Sequence, residues 1–395
     1  MKILIDGQTL HTPEIDRGIG KYFLNIVENI LTVDFTNDFF LVAPSASKLD
    51  EFAPWAREKL HVIEQRANGH GRGSEEALNS SYSDNINDLI SQTGIDLYWS
   101  PNALMDSVFL PARKVNDCRY AVTIFDLIPL VIEDHFNKAW PPKVFARYRQ
   151  KLARLETDYD LFLHISQHTY ADFTARLAVD QKSHALTPLA VADSFRPYPF
   201  PKIADAENYV LYPGGFDPRK NMIGALEAFA ELHKKHGNDM SVSGTHLRLV
   251  CHADEPSEKE LRKRARGLGI DDKLDLTGFV TDDELVGIYQ KARCLFFPSL
   301  YEGFGLPVLE GLACGLPIAA SNTSSIPEVA GELALYFDPH DVGDMAEVLN
   351  QTLQQARDLA SRNYRHERAR EFSWTKTALA TLEAWRQATQ EIAPA

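Results

Sequence analysis

Cysteine is scarce in this sequence and positive charge is in deficit. Four cysteines (Cys118, Cys251, Cys294, Cys314) stand far apart among 395 residues, three of them inside apolar runs and none at metal-ligand spacing. Neither a disulfide framework nor a zinc site is therefore expected, and the thiols read as reduced and packed in a cytosolic protein. Lys and Arg number 41 against 55 Asp and Glu, a formal net charge of -14. That balance argues against broad nucleic-acid binding, which rests on cations neutralising phosphates, so any anionic ligand has to be met by a local cluster. Long hydrophobic runs are missing as well. Nothing approaches the roughly 20 apolar residues of a membrane-spanning helix, and MKILIDGQTL enters a strand-like run at once, without a signal segment. The expected location is the cytoplasm.

What is present is an alternation. The hydrophobic share of 44% and charged share of 24% are those of a soluble globular chain, and a prior of about 150 residues per domain gives two or three domains. Short apolar runs at residues 3–5, 39–42, 61–63, 97–99, 121–125 and 161–165 are separated by longer amphipathic segments. Such runs, bounded by helical stretches, predict parallel strands with crossover helices. A proline-rich stretch, 188–201, interrupts the series as a linker. A second series follows, with runs at 209–212, 247–251, 274–277, 294–297 and 317–320. The prediction is α/β: two doubly wound Rossmann-like domains, 1–195 and 202–373, facing across a cleft. A last helical segment, 374–395, is expected to cross back onto the first domain. The glycine- and serine-rich stretch 67–83 is the expected mobile surface loop, and it lacks the Gly-Lys-Ser/Thr ending of a phosphate loop.

Ligands of doubly wound sheets bind at the carboxyl ends of strands, so the polar residues there are the candidates. The run 209–212 leads into Pro213-Gly214-Gly215-Phe216-Asp217-Pro218-Arg219-Lys220-Asn221. Cations at a helix start oppose its dipole, so Arg219 and Lys220 are unfavourable there unless an anion compensates them. An Arg fork beside a mobile Lys suits a diphosphate; incidental surface charge is the bland alternative. The run 294–297 leads through Ser299 to Glu302-Gly-Phe-Gly-Leu-Pro-Val-Leu-Glu310. Pro307 suits a first helical turn, and the amides of Gly305 and Leu306 are expected to face a ligand oxygen. Glu302 and Glu310 are expected to accept hydrogen bonds from hydroxyls, such as those of a sugar and a ribose. Two acids also serve a glycosidase as acid and base, and either acid alone is as readily a solvated helix-start residue. The neighbouring Arg-Lys pair favours the first reading.

In the first domain the run 3–5 ends in Asp6-Gly7, and Arg17-Gly18-Ile19-Gly20-Lys21-Tyr22 opens an amphipathic helix. Gly18 and Gly20 would let the backbone approach a ligand. Asp126, after the run 121–125, is either a hydroxyl-binding acid or the cap of the next turn. Ser166 reads as an N-cap, and His164 and His168 do not form a metal site. The segment 142–156 is a basic amphipathic helix that either packs on its own sheet, the favoured reading, or lies on an anionic membrane.

These residues together resemble the family 4 glycosyltransferases of GT-B fold. The match rests on the Glu-x7-Glu pattern (Glu302, Glu310), the Arg-Lys pair (Arg219, Lys220), the N-terminal glycine loop (Gly18, Gly20), Thr277-Gly278-Phe279-Val280, Gly315-Leu316-Pro317 and Pro327-Glu328-Val329. The resemblance implies transfer of a sugar from a nucleotide-sugar donor with retention of configuration and no required metal or other cofactor. It implies that Arg219 and Lys220 hold the diphosphate, Glu302 the donor sugar and Glu310 the ribose. It further implies that the backbone at Phe304, Gly305 and Leu306 contacts sugar hydroxyls, that near Val280 the base, and that Gly20 faces the phosphate. Many members carry His-Asp where this chain has Phe125-Asp126, so only Asp126 carries over. The Asp-Leu-Ile-Pro form resembles that of bacterial mannosyltransferases building surface polysaccharides, which implies GDP-mannose as donor and a glycan or lipid-linked acceptor. A UDP-sugar donor, a sugar-nucleotide epimerase or glycosidase on a similar scaffold, and a non-catalytic nucleotide-sugar-binding protein are the rival readings.

Overall fold

The computed structural model describes residues 1–16, 18–64, 75–133, 136, 139–197, 207–355 and 358–390. Arg17 and the linker prolines Pro199 and Pro201 lie outside them, as do residues 67–74 of the expected mobile loop. Residues 75–83 of that stretch open a helix, Glu75–Thr93.

The chain forms two compact units, residues 1–189 with 374–395, and residues 190–373. The division falls at Leu189 and Ala190, ahead of the expected boundary at 195. In unit 1 the strands are β1 (Lys2–Asp6), β2 (Asp38–Ala43), β3 (Leu60–Glu64), β4 (Leu97–Ser100), β5 (Arg119–Ile124), β6 (Leu161–His164) and β7 (Ser183–Leu186). They make one seven-stranded sheet in the order β3-β2-β1-β4-β5-β6-β7, and every pairing in it is parallel. Unit 2 holds β8 (Tyr209–Tyr212), β9 (His246–Leu249), β10 (Leu274–Leu276), β11 (Cys294–Phe297), β12 (Ile318–Ser321) and β13 (Ala334–Phe337). Its six-stranded sheet has the order β10-β9-β8-β11-β12-β13, again all parallel. Inner strands such as β4, β6, β8 and β11 are buried along their whole length, which is why they read as continuous apolar runs. β7 and β13 were not expected from sequence. Both are short edge strands, and neither Ser-His-Ala-Leu nor Ala-Leu-Tyr-Phe is buried throughout.

The basic helix, Pro142–Asp158, buries Phe145, Tyr148, Leu152 and Leu155, and Tyr148, Leu152 and Leu155 join Tyr120 and Phe162 in the unit 1 core. Its apolar face is thus spent on its own sheet. The helix Trp374–Gln390 also belongs to unit 1. It packs along the helix Gly18–Val33, sets Trp385 against Trp99 with ring centroids 5.2 Å apart and donates from Thr377 Oγ1 to the Pro188 carbonyl at 2.5 Å. Ser166 caps the helix Gln167–Arg176 by accepting the Thr169 N–H.

Two imidazoles stack beneath that cap. His164 Nε2 lies 3.0 Å from His184 Nδ1, with ring centroids 5.2 Å apart. Burial, and secondarily the neighbouring His184, push the His164 pKa down to about 3. The folded protein therefore holds His164 neutral where an unfolded chain, with a histidine pKa of about 6.5, takes up a proton. The resulting stability is fully present above about pH 6.5 and is lost as pH falls toward 3. From pH 6 to 4 the unfolding free energy is expected to fall with up to one extra proton's slope, about 1.4 kcal/mol per pH unit. A His164→Gln variant should show a shallower slope over that range in urea titrations. Equal slopes would assign the acid loss elsewhere.

Candidate functional site

In unit 2 the strand order reverses between β8 and β11, which pair directly. A doubly wound sheet opens a crevice at this reversal, outside the carboxyl ends of its strands. The two loops leaving β8 and β11 carry the Arg-Lys pair and Glu302.

After β8 the chain passes Gly214 and Gly215 into a single 3-10 turn, Pro218–Lys220, capped by the Asp217 side chain. Arg219 turns back onto that cap, its Nε and Nη2 donating to Asp217 Oδ2 at 2.9 and 2.7 Å. Burial raises the Asp217 pKa, but the hydrogen bonds and charge of Arg219 outweigh it and hold the carboxyl below its usual value. Asn221 then adopts φ +55° and the helix Met222–His236 begins. Asn221 Nδ2 donates to the Pro339 carbonyl at 2.8 Å, so the residue after Lys220 is anchored at its backbone turn and its side chain.

Lys220 reaches across to β11. Its Nζ donates to Glu302 Oε1 at 2.6 Å and stands 5.3 Å from the centroid of the Phe297 ring. Glu302 is 8% exposed, which rules out a solvated surface acid; a buried carboxylate needs partners. Ser299 Oγ supplies a second, 2.5 Å from the same oxygen. The two loops are also stitched through the Arg219 carbonyl, which accepts the Leu300 N–H at 2.7 Å and lies 3.1 Å from Ser299 Oγ. Below them Tyr212 donates to the Lys220 carbonyl at 2.9 Å. Burial first, then Cys251 and the negative charges of Glu302 and Asp217, push its phenol pKa well up.

A third loop closes the cluster from β12. The Glu302 N–H donates to Ser324 Oγ at 2.9 Å, and Ser325 Oγ donates to the Glu302 carbonyl at 3.0 Å. Ser321 Oγ donates to the Ser299 carbonyl at 2.6 Å. Beyond Glu302 the backbone turns at Gly305, φ +103°, a region closed to other residues, and the helix Leu306–Ala313 starts with Pro307 in its first turn. Phe304 is buried against Phe372, ring centroids 5.7 Å apart, so any contact it makes with a ligand falls to its backbone. Glu310 is half-buried in that helix; its charge, after burial, raises the Tyr289 pKa. Val280 follows β10 on a half-buried loop next to Phe279, which is 83% exposed.

Unit 1 holds the remaining candidates. Gly18 opens the helix Gly18–Val33. A Cβ on Gly20 would lie 2.1 Å from the Ile15 carbonyl oxygen, so the close approach this glycine permits is to the chain's own backbone. Asp126 accepts the Ile128 N–H at 3.0 Å, which is the turn-capping alternative. Asp6, the end of β1, is 1% exposed and accepts from Gln8 N, Gln8 Nε2 and Tyr98 Oη at 3.0, 2.8 and 2.6 Å.

With this geometry in view, residues 199–372 match the family described as glycosyl transferases group 1. The match falls within unit 2. Over 191 residues the chain is 33% identical to the O-antigen chain mannosyltransferase B of Escherichia coli, covering 46% of this chain and 46% of that protein. Over 301 residues it is 29% identical to the serotype-specific mannosyltransferase WbdA of Escherichia coli, covering 71% of this chain and 34% of that one. The chain thus spans less than half the length of either. Among solved structures, Anabaena Alr3699/HepE in complex with UDP and glucose matches with a TM-score of 0.70 at 13% identity, over 98% of this chain and all of that one. The fold is therefore GT-B, two Rossmann-like units with parallel sheets. Ser299, Ser324 and Ser325 escaped sequence reasoning. The available signal was Ser321-Asn322-Thr323-Ser324-Ser325, a hydroxyl-rich stretch directly after an apolar run.

Proposed function

We propose that the chain is a retaining hexosyltransferase that moves mannose from GDP-mannose to a glycan or lipid-linked acceptor in bacterial surface-polysaccharide synthesis. The observation that carries this reading is the pairing of half-buried Lys220 with buried Glu302 at the strand reversal, a cation suited to a diphosphate beside a carboxylate suited to sugar hydroxyls. Arg219 and Lys220 hold the diphosphate, Glu302 the sugar and Glu310 the ribose. The backbone at Phe304, Gly305 and Leu306 meets sugar hydroxyls, and Val280 the base.

The anomeric C1–O bond breaks towards the diphosphate, whose negative charge is stabilised by the two cations. The acceptor hydroxyl attacks C1 from the same face and gives its proton to a diphosphate oxygen, so no protein nucleophile is consumed. Cationic side chains take the part a metal ion would otherwise play, and transfer is expected to persist in a chelator. Mannose is favoured because the two Escherichia coli relatives are named mannosyltransferases. A UDP-sugar is the second reading, favoured by the UDP and glucose named with the Anabaena structure. The working location in this reading is the cytoplasm, at the inner face of the membrane when the acceptor is lipid-linked.

The test is a screen of nucleotide sugars by thermal shift followed by transfer assays, since a ligand that binds the native state raises its melting temperature. GDP-mannose is expected to give the largest shift and to support transfer. A larger shift with UDP-sugars would overturn the donor and leave the transferase. Isomerised donor in the absence of acceptor would overturn the reaction.

A further inference from the structure

We propose that Ser324 is a positioning residue for Glu302, an inference that rests on the sugar-binding role proposed above for that carboxylate. Ser324 holds φ +53°, a left-handed conformation that glycine adopts freely and an L side chain does not. Glycine would make the same turn without strain, so what serine adds is its hydroxyl. That hydroxyl accepts the N–H of Glu302 at 2.9 Å.

Disfavoured backbone tends to persist where the surroundings enforce it for function. Among the described residues, the non-glycine residues with positive φ are Asn221 and Ser324. One directly follows Lys220 and the other grips Glu302, so the two strained turns flank the two ends of a single ion pair. The loop after β12 controls the Glu302 turn at several points. Ser324 takes its N–H and Ser325 donates to its carbonyl at 3.0 Å. Ser321 donates to the carbonyl of Ser299 at 2.6 Å, and the hydroxyl of Ser299 sits on the Glu302 carboxylate. The carboxylate is therefore fixed at its head by Lys220 and Ser299 and at its root by Ser324. Removing Ser324 Oγ frees the root while leaving the head contacts in place. A sugar-holding group must keep its place within about 0.5 Å, so a loosened root reaches the reaction before it reaches the fold.

The experiment uses the full chain with GDP-mannose as donor, and compares Ser324→Gly, Ser324→Ala and Lys220→Ala with the parent. Both serine variants lose the hydroxyl; only the alanine retains a strained turn. Each is expected to lower kcat between about tenfold and about a hundredfold. Inhibition by GDP, which carries no sugar to place, is expected to stay at the parent level. The glycine variant should melt at or above the parent temperature and the alanine variant below it. A residue that only supports the fold would lose activity in step with its Tm, and the glycine variant separates the two. If Ser324→Gly keeps the parent kcat while Lys220→Ala loses it, the inference falls and the site reading stands. If Ser324→Gly loses kcat together with Tm and GDP affinity, the positioning role is likewise overturned. If Lys220→Ala also keeps the parent kcat, the site reading fails and the inference with it.

Discussion

Replacing Lys220 with alanine is expected to cut turnover by about two to three orders of magnitude, the usual cost of deleting a preorganised group that stabilises charge in the transition state. The variant should also lose about 1–3 kcal/mol of stability, because Glu302 keeps its buried charge after its cation has gone. The two losses have different causes and separate in a double variant. Lys220→Met with Glu302→Gln removes both charges, so the stability should recover most of the way while turnover stays low. A double-mutant cycle on Tm and kcat reads this directly. Near-normal turnover for Lys220→Ala would remove the diphosphate role from this residue.

The second large effect lies in unit 1, far along the chain from any residue assigned to chemistry. Trp385→Ala is expected to destabilise unit 1 by about 3–5 kcal/mol, the range for truncating a buried large aromatic. Trp385 is fully buried against Trp99, and Trp99 sits in β4, an inner strand of the sheet. Urea unfolding followed by tryptophan fluorescence should show an earlier unit 1 transition. A loss below about 1 kcal/mol would mean that the final helix is not docked as described.

Much of this fold was legible because inner parallel strands are apolar on both faces and leave unbroken runs in the sequence. Runs at 209–212 and 294–297 coincide with β8 and β11. The edge strands β7 and β13 leave no such trace, since no residue of β7 and only the two ends of β13 are buried. The helix start at Glu75 was hidden by small polar residues, whose periodicity is weak. At the site, Arg219, Lys220 and Glu302 were readable because charged residues beside glycine turns are locally costly. The direct pairing of Lys220 with Glu302 was not, because it joins positions 82 residues apart that meet only once β8 and β11 lie side by side. Ser299, Ser324 and Ser325 were invisible for a related reason: a hydroxyl has no preferred burial, and its importance lies wholly in its partner.

The return of the helix Trp374–Gln390 to unit 1 makes unit 2 an insertion. As the chain leaves the ribosome, residues 190–373 are complete and able to close their own sheet while unit 1 still waits for Trp385. Domains fold as units, in the order in which they are finished. Here unit 1 is completed only once the helix Trp374–Gln390 has been made, and until then Trp99 lacks the Trp385 ring that covers it.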